Sequence, residues 1–200
     1  MATRRINRMQ RSSAGLHPGG PASALFGYRY PLTVMAIAAP LFVIYSYPYA
    51  EGGAMASGMQ SYLAGYARLA GAVISILDPQ VVVTGNCIVG RLFSMSIVKT
   101  CDAMEVNILL GAALAGFPMP LPMRIVTVVT SISTLVLINV LRLCVLYWLG
   151  AHVPAWFDRA HQTVAPFFMV ASALVIFLFA TASRHRAGKP APQVQVDATS

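Results

Sequence analysis

The stretch that decides the fold is residues 124–149, RIVTVVTSISTLVLINVLRLCVLYWL, whose apolar character is broken chiefly by Asn139 and Arg142. A helix needs about 20 apolar residues to cross the hydrocarbon core of a bilayer, and this stretch exceeds that length. The whole chain is 57% hydrophobic and only 10% charged, whereas soluble domains carry about 25% charged residues. The stretch therefore predicts a transmembrane helix, and the composition predicts an integral membrane protein.

Three other segments are apolar over a similar length. Residues 31–50, 97–117 and 161–183 bring the prediction to about four spans within a membrane domain covering residues 28–184. The polar ends, residues 1–27 and 185–200, are expected to be disordered tails. The predicted fold class is all-α. The triplet Ala54-Met55-Ala56 resembles a signal cleavage site, so removal of the first apolar segment stays an alternative to an uncleaved helix.

Two further patterns lie between the first and second predicted spans. After Asp78-Pro79, two β-branched runs flank Gly85-Asn86, which predicts a short β-hairpin. Before it, apolar residues recur at three- and four-residue spacing over residues 55–77. This predicts an external amphipathic helix that lies on the membrane or covers the bundle. Its apolar stripe consists of Met59, Tyr62, Leu63, Tyr66, Leu69, Ala70, Val73, Ile74 and Leu77.

Positive charge is distributed unequally between the two predicted sides of the membrane. With both termini in the cytoplasm, the inner segments hold Arg4, Arg5, Arg8, Arg11, Arg29, Arg124, Arg184, Arg186 and Lys189, and the outer segments hold only Arg68, Arg91, Lys99 and Arg159. This asymmetry follows the positive-inside rule. We therefore expect a multi-pass protein of the cell's inner (cytoplasmic) membrane, with residues 51–98 and 150–160 outside. The same flanking charge explains the net charge of +8, so no nucleic-acid partner is expected.

Three residues far apart in the sequence fall at similar predicted depth on the outer side. Cys101 lies at the outer end of the second span and His161 at the outer end of the fourth. Arg142 lies about 12 Å below the outer end of the third span, at 1.5 Å per residue. An arginine inside a span costs about 2.5–3.5 kcal/mol on insertion scales, so it needs a partner. Helix packing could bring these three side chains together.

Their chemistry favours a thiol-based reaction. A histidine can take the proton of a cysteine thiol, and a fixed guanidinium favours the resulting thiolate. The same guanidinium can stabilise the oxyanion that forms when the thiolate attacks an amide. Cysteine, histidine and arginine together therefore suit acyl transfer from a peptide bond through a thioester, although spacing does not establish this.

Other interpretations of these residues stay open. Glu105, one helical turn after Cys101, could pair with Arg142 in a non-catalytic membrane assembly or scaffold protein. Cys87 and Cys101 could form a disulfide or a redox pair, although their spacing is not C-x-x-C. The outer loops hold no close cluster of His, Cys and carboxylate residues with metal-ligand spacing. No metal and no cofactor are therefore expected.

Several segments together resemble the exosortase/archaeosortase family, in its short single-domain form. They are Gly85-Asn86, TCDAMEVN, FPMPLPMR, INVLRLCVLYWLG and the loop to His161, within about residues 78–183. The signature Cys, Arg and His of that family match Cys101, Arg142 and His161, and Asn139 matches its N-x-x-R pattern.

The resemblance implies a membrane cysteine protease or transpeptidase that cleaves the C-terminal sorting signals of exported proteins at the outer membrane face. Its expected partners are membrane-anchored proteins ending in a motif, a transmembrane helix and a basic tail, together with the lipid bilayer. Asn139, Glu105 and Asp102 are expected to support the reactive set. The chain departs from the family at Asp102-Ala103, where many members have Ser-Gly or Asn-Gly, and at Gln162, where Glu is frequent.

Overall fold

A computed structural model of the protein describes residues 21–48 and 53–187. Six α-helices dominate it: α1 (Pro21–Ser46), α2 (Ala54–Leu77), α3 (Met104–Gly116), α4 (Leu121–His152), α5 (Pro154–Arg159) and α6 (Ala165–Ala187). Three short strands lie between α2 and α3: β1 (Val82–Thr84), β2 (Cys87–Val89) and β3 (Ser94–Ser96). A 3₁₀ turn at Lys99–Cys101 precedes α3, and a π-helical turn at Ala160–Val164 joins α5 to α6.

Three of the described helical segments are long and apolar enough to cross a membrane. They are Tyr28–Ser46, Leu121–His152 and Pro154–Ala182, the last of which includes α5, the π turn and most of α6. The helical, apolar architecture expected from the composition is therefore confirmed. In the second predicted span, residues 97–117, the α-helical part is α3. Its 13 residues extend about 20 Å, less than the ~30 Å core of a bilayer.

Helix α3 runs antiparallel to α1 and is joined to it near both ends. The Tyr30 hydroxyl donates a hydrogen bond to the carbonyl of Ala113 (3.1 Å), near the end of α3. The Tyr45 hydroxyl bonds the carboxylate of Asp102 (3.0 Å), just before the start of α3. The other side of α3 packs against α4 and α6, in a core made of Leu110, Leu114, Leu135, Met169 and Ala173. The short helix therefore lies inside the bundle alongside three longer ones.

A small antiparallel sheet lies beside α2, with strand order β1-β2-β3. The predicted hairpin is confirmed: Thr84 pairs with Cys87 across a two-residue loop. Gly85 has φ +59° at the first position of that loop, where the favoured type II′ turn takes glycine. The third strand was not predicted, although Ser94–Ser96 pairs in full with β2.

Helix α2 confirms the predicted amphipathic helix, and its buried face includes Leu63, Tyr66, Ala70 and Ile74 of the predicted apolar stripe. Its buried residues are Leu63, Tyr66, Ala67, Ala70, Gly71 and Ile74, and they face α4, β1 and β2. Leu69, Val73 and Leu77 of the predicted stripe are exposed, so the stripe is wider than the face that packs inwards. Val83 of β1 packs where a Cβ on residue 71 would lie, so the sheet approaches α2 along its small residues.

The first and last helices are longer or shorter than predicted at their ends. Helix α1 begins at Pro21, so the prediction that the disordered tail extends to residue 27 is wrong for residues 21–27. The helix ends at Ser46 rather than near residue 50. At the other end, α6 continues to Ala187, which makes residues 185–187 helical. The rest of the two predicted tails, residues 1–20 and 188–200, lies outside the described residues.

The predicted boundaries near Cys101 and His161 also change. The second predicted span does not begin as a helix near Ile97. The backbone N–H of Ile97 bonds the carbonyl of Asn86 (2.9 Å) and continues the hairpin. The predicted loop at residues 150–160 is mostly helical. Helix α4 continues to His152, and Pro154, with its fixed φ, starts α5 directly after Val153. His161 consequently lies within the π turn rather than at the start of a span.

Candidate active site

Cys101 is held in a tight turn outside the neighbouring helix. It is the last residue of the 3₁₀ turn, is 2% exposed, and its backbone N–H bonds the carbonyl of Val98 (2.8 Å). Ala103 follows with φ 55° and ψ 23°, the left-handed region, which is unfavourable for a residue with a Cβ. This backbone reversal separates the thiol-bearing turn from α3, which begins at Met104.

His161 approaches this thiol from the far end of the chain. Its Nε2 lies 3.9 Å from the Sγ of Cys101, so the fold brings these two side chains together. The imidazole stacks on Phe157, with ring centroids 5.7 Å apart and planes inclined by 3°. The other ring nitrogen, Nδ1, is buried and has no hydrogen-bond partner among the described residues. An aromatic ring, rather than a carboxylate, therefore sets the orientation of the imidazole.

Asn139 connects the 3₁₀ turn that carries Cys101 to Arg142. Asn139 is fully buried, and its side-chain amide donates a hydrogen bond to the carbonyl of Cys101 (3.0 Å). Its oxygen accepts a hydrogen bond from Nη1 of Arg142 (3.1 Å). The three-residue separation places both side chains on one face of α4. The N-x-x-R pattern thus holds the backbone of Cys101 and the guanidinium in one network.

Arg142 is buried with its charge beside the other reactive groups. It is 7% exposed and interacts electrostatically with Cys101, Asp102 and His161. Its Nε is buried without a hydrogen-bond partner in the described part of the chain. The guanidinium therefore keeps an N–H donor that a substrate oxygen could use.

Glu105 does not lie beside Arg142, where it was expected. Among the described residues no ion pair joins it to Arg142, whose hydrogen bond goes to Asn139 instead. Glu105 is exposed on the other side of α3, where it lines an apolar cavity of about 820 Å³ between α1, α3 and α6. The alternative in which Glu105 pairs with Arg142 is therefore wrong, and Glu105 does not support Cys101, because α3 turns the carboxylate towards that cavity.

Asp102 and Tyr45 form a second polar contact beside Cys101. The carboxylate of Asp102 is fully buried. The Tyr45 hydroxyl lies within hydrogen-bond distance of both of its oxygens (3.0 and 3.1 Å), and the backbone N–H of Met104 donates a hydrogen bond to it (2.9 Å). These hydrogen bonds satisfy the buried carboxylate. No spacing pattern identifies Tyr45, which lies on α1; its place at the C-terminal end of an apolar run is the signal that points to it.

The other cysteines lie apart from this cluster. Cys87 and Cys144 are half-buried, and all three thiols are free. The Sγ of Cys144 lies 3.8 Å from the carbonyl of Ala70, so this thiol packs between α4 and α2. Within the described ranges, no three His, Cys, Asp or Glu side chains form a group that could hold a metal ion.

The chain matches no protein-family model, no curated protein and no solved structure. Function is therefore inferred from the residues themselves. The Cys101 thiol lies beside the imidazole of His161, and the buried amide of Asn139 bonds both the backbone of Cys101 and the guanidinium of Arg142. This arrangement can generate a thiolate, stabilise an oxyanion and return a proton to a leaving group.

Proposed function

We propose that the protein is a membrane cysteine peptidase or transpeptidase, similar to the exosortase/archaeosortase family, with Cys101 as its nucleophile. The observation that carries this proposal is the 3.9 Å approach of the Cys101 thiol to Nε2 of His161, beside the buried charge of Arg142. A thiol packed only as a small hydrophobe has no need of an imidazole and a guanidinium in the same pocket.

The first half-reaction forms a thioester. The Cys101 thiol gives its proton to Nε2 of His161, and the thiolate attacks the carbonyl carbon of a peptide bond in the substrate. The carbonyl oxygen takes the negative charge, and the positive charge of the Arg142 guanidinium beside Cys101 stabilises it. The carbon–nitrogen bond then breaks, and the imidazolium gives the proton to the departing amine.

The second half-reaction releases the acyl group. An amine or a water molecule attacks the thioester while His161 takes its proton. The carbon–sulfur bond breaks, and the Cys101 thiolate recovers a proton from the imidazolium. An amine acceptor makes the overall reaction a transpeptidation, whereas water makes it a hydrolysis.

The proposed substrates are exported proteins with a C-terminal motif, a transmembrane helix and a basic tail. We place the site at the outer, periplasmic side of the inner membrane, with both termini in the cytoplasm, as the charge asymmetry favours. In this arrangement α1, α3, α4 and α6 cross the membrane, and α3 relies on the 3₁₀ turn before it and the Pro-rich link after it to complete its crossing. The substrate's own helix would then present the residues just outside the bilayer to Cys101.

The conformation of Ala103 supports the resemblance at the point where the sequences differ. Many family members have glycine at the second position after the cysteine, and Ala103 occupies that position here. Its φ of 55° lies in the region that glycine adopts without strain. The backbone of this chain therefore has the geometry that a glycine at this position would favour, although the residue is alanine.

Co-expression with a host protein that ends in the tripartite tail tests the proposal. Wild-type enzyme should cleave this protein and form an acyl adduct on Cys101 that mass spectrometry detects. Cys101→Ala should abolish both, whereas Cys144→Ala should retain them, since the Cys144 thiol lies against the carbonyl of Ala70 on α2 and makes no hydrogen bond to His161 or Arg142 among the described residues. Intact substrate beside well-expressed wild-type enzyme, for every tripartite-tailed protein of the host, would refute the peptidase assignment.

A further inference from the structure

The C-terminal end of α1 is hydrogen-bonded to the turn that carries Cys101. Tyr45 is 7% exposed, and its hydroxyl lies 2.7 Å from the carbonyl oxygen of Lys99 as well as 3.0 Å from the Asp102 carboxylate. In return, the ammonium of Lys99 donates to the carbonyl of Tyr45 (3.3 Å) and lies 5.6 Å from the centre of its ring. Tyr45 thus contacts the residues on both sides of the Thr100-Cys101 pair.

We propose that Tyr45 is a positioning residue that holds the Cys101 turn against His161. This inference rests on the proposed function, in which Cys101 is the nucleophile. Helix α1 supplies no member of the Cys–His–Arg set, and Tyr45 gives this helix a role in the reaction. The hydroxyl acts through Lys99 and Asp102 and does not touch the reacting atoms.

Two elements fix the turn from different sides. Asn139 of α4 holds the carbonyl of Cys101, and Tyr45 of α1 holds the flanking Lys99 and Asp102. A sulfur–nitrogen distance of 3.9 Å is already long for a hydrogen bond, so a further shift would end the contact. Misplacement of a reactive group by about 1 Å can cost about 100-fold in rate. The turn therefore needs both supports.

Tyr30 provides a matched control on the same helix. Its hydroxyl also joins α1 to the α3 segment, through the carbonyl of Ala113 (3.1 Å). That bond lies near the opposite end of α3, about 14 Å along the helix from Met104. Tyr45→Phe and Tyr30→Phe therefore each remove one hydroxyl between the same two elements, but only the first removes a contact with the reactive turn.

The test measures cleavage kinetics with purified enzyme in detergent and a purified tripartite-tailed host protein that the wild type cleaves. Tyr45→Phe should lower kcat about 3- to 10-fold, the value of one net hydrogen bond, and leave KM within about twofold. Tyr30→Phe should change neither. A merely structural role would instead lower the amount of folded enzyme and leave kcat per folded molecule unchanged.

A second measurement does not depend on cleavage. In a Cys87→Ala, Cys144→Ala background, His161→Cys allows a short bifunctional thiol reagent to join positions 101 and 161. Adding Tyr45→Phe should reduce the cross-linked fraction several-fold, whereas adding Tyr30→Phe should not. Should Tyr45→Phe fail to accumulate, Lys99→Met removes the reciprocal contact with Tyr45 and should lower the cross-linked fraction in the same direction.

The outcomes separate the two proposals. Absence of cleavage by the wild type removes the proposed function but leaves the cross-linking result to decide whether Tyr45 sets the geometry. Cleavage and cross-linking that are equal in Tyr45→Phe and Tyr30→Phe would overturn the positioning role and leave the peptidase assignment intact.

Discussion

Asn139→Ala is the substitution that most directly tests the network around Cys101. Asn139 donates one hydrogen bond to the neutral carbonyl of Cys101 and accepts one from the charged Arg142. Bonds of these two kinds contribute about 0.5–1.5 and 1.5–3 kcal/mol. Their joint loss therefore removes about 2–4.5 kcal/mol. If the transition state depends fully on both bonds, kcat/KM falls about 30- to 2,000-fold, since 1.36 kcal/mol is tenfold in rate.

The assay compares kcat/KM for cleavage of a tripartite-tailed protein with the melting temperature of the purified enzyme. Asn139→Ala should lower both, because it leaves a buried guanidinium and a buried carbonyl without their partner. Ser133→Ala is the matched control, since Ser133 is exposed on the same helix and should change neither. An Asn139→Ala enzyme with kcat/KM within threefold of the wild type would show that the network does not support the reaction.

Arg142→Lys is expected to lower kcat about 100- to 1,000-fold, the usual cost of losing one oxyanion donor. A lysine ammonium cannot hold Asn139 and present a second, planar N–H at the same time, and a kcat within threefold of the wild type would contradict this role. Gly150→Ala should lower the free energy of unfolding by about 1–3 kcal/mol, because the added Cβ would lie 2.5 Å from the ring of Phe93. Thermal unfolding measures this loss, and Gly65→Ala, where nothing lies within 4 Å, should show none.

Helices whose pattern extends over many residues could be predicted from the sequence. Helix α4 follows from the length of its apolar run, and α2 follows from its three- and four-residue spacing. The part of its apolar stripe that packs inwards could not be predicted. Hydrophobicity favours Leu69 and Val73, but the close approach of Val83 requires the small Gly71, and this requirement appears only when the sheet is in place.

The grouping of Cys101 with His161 could be predicted because each residue lies at the end of an apolar segment, and both ends were expected on the same side of the bundle. The shape of the turn could not be predicted. Alanine favours helix, so nothing in the sequence marks the left-handed conformation of Ala103. Ile97 is apolar like a membrane residue, but its backbone continues the hairpin. Tyr45 could not be identified because its contact with the turn is made by tertiary packing alone.

Because of the π turn at Ala160–Val164, the position of His161 depends on the number of residues in this segment as well as on their identity. A π turn holds one residue more than the matching α-helical turn. On one side of it Phe157 packs against Phe93 with ring centroids 5.0 Å apart, and on the other Met169 is fixed in the core. Deleting one residue between these two anchors would rotate one relative to the other by about 100°. The segment should therefore accept substitutions at its exposed positions far more readily than insertions or deletions.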